Sequence, residues 1–149
     1  MSTYTRILYQ IVFGSKFHAS FLNKSNEKIL FSYIAGIANK KRCLVYIVGG
    51  YRNHIHIILD IHPTVSLSAL VRDIKAASHE MMVESASDFP RFPGWQVGYS
   101  AFTYDVSALD NLCKYVRNQR IHHQKKDARK EFIESLNKHK VKVPRRFLQ

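Results

Sequence analysis

The chain has 149 residues, 46% of them hydrophobic, and a formal net charge of +12. That length fits one domain, residues 1–149, with a sizeable core. No run approaches the roughly 18 apolar residues of a membrane span, and the opening Met1-Ser2-Thr3-Tyr4-Thr5-Arg6 lacks a signal-peptide pattern. The basic excess points to a polyanionic partner, most often nucleic acid. It is uneven: from Lys114 onward 12 Lys or Arg stand against 3 acids, and the rest of the chain has 11 against 8. Without an export signal the protein reads as cytoplasmic. Cys43 and Cys113 then read as reduced, buried small residues.

Residues 4–13 are β-branched and aromatic and end at Gly14, a first strand. Asn26-Glu27 opens a helical pattern through Ile29, Leu30, Tyr33, Ile34 and Ile37 to about Lys41. Cys43 to Val48 is a second strand, expected to stop at Gly49-Gly50. Residues 54–61 form a third, so the two read as a hairpin. Ser66 caps a second helix that runs to about Met82. Residues 84–94, with Pro90, Pro93 and Gly94, form a loop, and Trp95 to Tyr104 a fourth strand. Ser107-Ala108-Leu109-Asp110 resembles a capping box and starts a third helix expected to run unbroken to about His122. A short charged helix follows at 127–139, within a basic tail that begins near 125 and becomes extended from Val141, with Pro144 in it. The order β-α-β-β-α-β predicts an α+β, ferredoxin-like antiparallel sheet with two helices on one face and an added C-terminal helix.

Two stretches carry candidate chemistry. In His54-Ile55-His56-Ile57 the alternation of a strand puts both imidazoles on one face and both isoleucines toward a core. Imidazoles about 7 Å apart along a strand can share one divalent ion. A metal open to substrate requires that face to be accessible, although a histidine pair on a strand is more often a polar surface feature. Asp60 shares the face but lies about 13 Å from His56, too far to join it. On the third helix, Tyr115 and Gln119 are one turn apart, beside the buried stripe of Leu109, Leu112, Cys113 and Val116. A tyrosine there can keep its ring held and its hydroxyl at the surface, and Gln119 offers an amide oxygen to a hard cation. The common role of such a tyrosine is ring packing. His122 and His123 suit a helix C-terminus and can also touch phosphate. Trp95, Tyr99, Phe102 and Tyr104 can stack on bases, although strand aromatics are more often core.

His54-Ile55-His56 resembles the His-hydrophobic-His motif of the HUH endonucleases. Tyr115-Val116-Arg117-Asn118-Gln119 is similar to the Tyr-x-x-x-Gln helix of their single-tyrosine transposase branch, the insertion sequence 200/605 type. The resemblance extends to Ile11-Val12-Phe13, to Leu70-Val71-Arg72-Asp73-Ile74-Lys75 and to Trp95-Gln96-Val97-Gly98-Tyr99-Ser100-Ala101-Phe102. It implies a DNA transposase that cuts and rejoins single-stranded DNA at element ends. Tyr115 would be the nucleophile, forming a 5′-phosphotyrosine link and releasing a 3′-hydroxyl. His54, His56 and Gln119 would hold Mg2+ or Mn2+. The partners implied are single-stranded DNA with hairpins at the element ends and a second copy of the chain, in a homodimer whose tyrosine helix can complete the partner's site. Lys114, Arg117, Arg120, His122 and His123 are candidate DNA contacts, with solvated helix charges the simpler reading of Lys114 and Arg117.

Two rivals share these elements. One is a domesticated relative that cuts DNA at hairpin repeats without transposing. The other is an RRM-like module that binds nucleic acid without cutting it. The basic-Gly-aromatic signature of that module is missing from residues 44–48 and 54–61.

Overall fold

The structure, a computed structural model, describes residues 2–123 and 128–142, with only the backbone of His122, His123 and Ala128. Four antiparallel strands stand in the order β2-β3-β1-β4: β1 Leu8–Gly14, β2 Leu44–Tyr51, β3 His54–Asp60 and β4 Ser100–Thr103. Helices α1 (Glu27–Lys40) and α2 (Leu67–Glu84) lie against one face. This is the ferredoxin-like plan expected from the order of elements.

Alternation along β1 and β3 divides the molecule into two layers. Ile11, Phe13, Ile55, Ile57 and Leu59 face α1 and α2 and join Leu30, Ile34, Leu70 and Ile74 in the main core. Each fully buried isoleucine there stabilises the fold by about 1.5–3 kcal/mol relative to exposure. Leu8, Gln10, His54, His56 and Ile58 face the other way. Helix α3 (Leu109–Arg117) covers that side through Leu112 and Val116. Among the described residues no helix is long and apolar enough to cross a membrane.

Several boundaries differ from expectation. β1 starts at Leu8, four residues late. β2 runs through both glycines to Tyr51. Those glycines are required by close approach: a Cβ at Gly49 would lie 2.6 Å from Val116 Cγ1 and 2.8 Å from Val116 O, and one at Gly50 would strike His54 O. β4 is only four residues long. Trp95 makes an isolated bridge to Ser15, and its ring turns into the core against Phe13, Phe21 and Phe92. The third helix is not continuous: it opens with a 3₁₀ turn at Val106–Ala108, stops at Arg117, and resumes as α4, Gln119–His123, so Tyr115 and Gln119 belong to different helices. Asp105, not Ser107, supplies the cap by accepting from the Ser107 amide. Helix α5, Ala128–Lys138, lies where a charged helix was expected. The tail beyond residue 142, Pro144 included, lies outside the described residues.

Candidate active site

The hairpin β2–β3 and strand β1 set the positions of the imidazoles. Gly14 pairs with His54 and Val12 with His56, so both rings rise from the middle of the sheet. They meet edge to face, at 71°, with centroids 5.1 Å apart. Their face was expected to be accessible. It is covered, and both histidines are buried.

Each imidazole is oriented from behind. Gln10 Nε2 donates to Tyr104 Oη at 3.1 Å, which turns Gln10 Oε1 toward His56 Nδ1 at 3.1 Å. Asn53 Nδ2 donates to His18 O at 3.5 Å, and Asn53 Oδ1 faces His54 Nδ1 at 3.0 Å. These partners suit the Nδ1–H tautomer in both rings, which leaves each Nε2 as an inward lone pair, the form in which an imidazole ligates a metal. What meets those lone pairs is more acceptor. Gln119 Oε1 lies 3.2 Å from His54 Nε2, its orientation set by Gln119 Nε2 donating to Tyr115 O. A Glu131 carboxylate oxygen lies 3.0 Å from His56 Nε2 and 3.9 Å from His54 Nε2. Among the described residues, the buried His56 Nε2 makes no hydrogen bond. Donor atoms of His54, His56 and Glu131 fall within 4.8 Å of one another. A buried convergence of imidazole lone pairs with carboxylate and amide oxygens fits a divalent cation, with outer oxygens holding the rings as metal sites commonly do.

The Tyr115 ring stands edge-on to His56, with centroids 5.7 Å apart. Burial pushes its phenol pKa well above the ordinary tyrosine range. A hydrogen bond and charge repulsion from Glu131 push it further, and Gln119 pulls it slightly back. The phenol is therefore a neutral hydrogen-bond donor to the carboxylate at ordinary pH.

The structure thus brings together His54, His56, Tyr115 and Gln119. Gln10, Asn53 and Glu131 have no counterpart among the sequence-predicted site residues. Gln10 is signalled only as a polar residue inside an apolar strand, and Glu131 only as one of the few acids in a basic segment. Lys114 and Arg117 are exposed. Arg120 is engaged by Glu27 at 3.0 Å and stacks over Tyr51, which restrains it from reaching a phosphate. The side chains of His122 and His123 lie outside the described residues. Trp95 and Phe102 are core, Tyr104 is tied to Gln10, and Tyr99 remains exposed.

The sequence profile of the transposases described as IS200-like matches residues 3–119. The chain belongs to this transposase family. The match contains the histidines, Tyr115 and Gln119, and stops short of α5 and Glu131. No curated protein matches the chain. Among solved structures, this family member is similar to a protein from Deinococcus radiodurans R1 described as a transposase, at 18% identity and a TM-score of 0.63, over 80% of this chain and 95% of that one. It is also similar to a REP-associated tyrosine transposase bound to a REP hairpin, at 15% identity and a TM-score of 0.60, over 83% of this chain and 74% of that one. At these identities the likeness is one of fold.

Proposed function

We propose that this transposase cuts and rejoins single-stranded DNA by attack of Tyr115 on a phosphodiester, assisted by a divalent ion. The observation that carries the reading is the convergence of His54 Nε2, His56 Nε2, Gln119 Oε1 and the Glu131 carboxylate beside the Tyr115 ring. His54, His56 and Gln119 would hold Mg2+ or Mn2+, with Glu131 as a further oxygen donor; the carboxylate and amide oxygens suit either ion. When bound, the ion supplies charge neutralisation and polarisation of the phosphate.

The protein's own groups do the rest. Glu131 accepts the Tyr115 hydrogen bond and takes the phenol proton as the oxygen–phosphorus bond forms. The bond to the 3′-oxygen breaks, the proton passes to that oxygen, and the product is a 5′-phosphotyrosine with a free 3′-hydroxyl. Attack by a 3′-hydroxyl reverses the link. Asn53 and Gln10 hold the two imidazoles in one tautomer throughout. Tyr115 and His56 sit together within one chain, which favours a tyrosine acting in its own subunit. A homodimer on DNA hairpins at the element ends, in the cytoplasm, completes the proposal. The hairpin-bound REP-associated relative supports the choice of DNA partner.

The test compares the parent with the His54→Ala/His56→Ala double variant on single-stranded DNA from the gene's own flanks, with Mn2+. Cleavage by the parent and none by the double variant is expected. Full cleavage by the double variant refutes the metal site.

A further inference from the structure

Two stretches that carry the family resemblance take no part in the cluster around His54: Leu70 to Lys75 and Trp95 to Phe102. They meet at a separate pocket of about 610 Å³ between α2 and the connection before β4, a volume suited to a nucleotide-sized ligand. Arg72 and Lys75 reach it from α2, and Lys16 from the turn after β1. Arg72 Nε also pairs with Asp73 Oδ1 at 3.3 Å, while its side chain stays largely exposed. Glu80 is the one acid among the lining residues.

The apolar part of this surface is held open to solvent. Lys75 Nζ donates to Gln96 O at 2.9 Å and Gly98 O at 2.5 Å, pinning the connection. That leaves Val97 94% exposed and Tyr99 40% exposed. The adjoining Lys16-Phe17-His18 turn is fastened by Lys16 N donating to Gly94 O at 2.9 Å. Phe17 and His18 both adopt left-handed backbone angles, with φ of 61° and 53°, and Phe17 is 87% exposed. Ordering a phenylalanine in that conformation, outside any core, is the kind of strain found at ligand clamps. The turn also touches the candidate active site, because His18 O accepts from the same Asn53 amide that orients His54.

We propose that this pocket and turn bind one or two unpaired nucleotides of the strand that is cut. Base faces rest on Tyr99, Val97 and Phe17, and the intervening phosphates on Lys16 and Arg72. Flat apolar contacts combined with cations are how sequence-tolerant single-strand sites work. The Asn53 bridge links the turn to the residue before the strand that carries the histidines, at one end of the sheet. The proposal rests on the nuclease reading for the identity of its ligand.

The test uses the full chain with Tyr115→Phe and single-stranded oligonucleotides from the gene's own flanks, carrying 5-iododeoxyuridine at successive positions. Irradiation is expected to crosslink one or two neighbouring positions to peptides containing Phe17 or Trp95–Tyr99. Adding Arg72→Ala and Tyr99→Ala should weaken oligonucleotide binding by ~10-fold, with melting temperature and Mn2+ affinity unchanged. Crosslinks confined to other peptides, or undiminished affinity in that variant, overturn the proposal. The two readings fail separately. A Tyr115 adduct in the parent without these crosslinks leaves the nuclease and removes the pocket. Crosslinks without any adduct leave the pocket and remove the nuclease.

Discussion

Asn53 Oδ1 lies 3.0 Å from His54 Nδ1, so the residue beside His54 in sequence decides which imidazole nitrogen faces the cluster. Gln10 does the same for His56 from the neighbouring strand. Without these acceptors each ring can turn or change tautomer, and its inward lone pair is no longer fixed. Outer partners of this kind are worth about 10–100-fold in metal affinity. Asn53→Ala and Gln10→Leu are each expected to weaken Mn2+ binding by ~10-fold, read by electron paramagnetic resonance titration of free Mn2+. Parent-like affinity in both variants removes the orienting role.

Gly49 and Gly36 make a matched pair for a packing prediction. A Cβ at Gly49 would meet Val116 Cγ1 at 2.6 Å and its carbonyl oxygen at 2.8 Å. Backbone cannot swing aside, so α3 must shift, carrying Tyr115 with it. Gly49→Ala is expected to destabilise by about 1–3 kcal/mol and to lower cleavage. At Gly36, inside α1, nothing among the described residues lies within 4 Å of an added Cβ, and Gly36→Ala is expected to stabilise by roughly 0.5–1 kcal/mol. Thermal melting of both separates the effects. An unchanged melting temperature for Gly49→Ala contradicts the close approach.

Tyr115 gives an alkaline signature. An unfolded tyrosine loses its proton near pH 10, as its pKa is about 10, whereas folded Tyr115 keeps it because burial and Glu131 raise its pKa. The unfolded chain then binds fewer protons, and stability falls as pH rises above about 10. Tyr115→Phe is expected to make that decline shallower. Part of it remains, because burial also raises the pKa of Tyr104. Glu131→Gln is expected to lower the Tyr115 transition in an ultraviolet phenolate titration. An alkaline limb unaltered by Tyr115→Phe counts against a buried, neutral phenol.

How far these features are legible in the sequence follows from the distances involved. Period-two alternation suffices to put His54 and His56 on one face and Ile55 and Ile57 in the core. Four-residue spacing brings Tyr115 to Gln119, even though Asn118 breaks the helix between them. What fails is what depends on a third element. Gly49 and Gly50 look like a strand stop because glycine is depleted in strands, yet they are there because Val116 and the His54 carbonyl pass so close. The imidazoles look exposed because nothing in β3 reveals that Glu131, 75 residues after His56, covers them. Trp95 looks like strand because its type favours one, but its ring is drawn into the core, where Nε1 donates to Ser78 Oγ at 3.0 Å.

The central claim is that Tyr115 becomes covalently joined to DNA. The direct measurement is incubation of the full chain with Mn2+ and labelled single-stranded DNA from the gene's own flanks, followed by a denaturing gel and peptide mapping of any adduct. The account predicts a protein–DNA adduct mapped to Tyr115 that is absent from Tyr115→Phe, while that variant still binds the DNA. An adduct of equal yield in Tyr115→Phe, or cleavage by the parent that leaves no protein on the 5′ end, contradicts it.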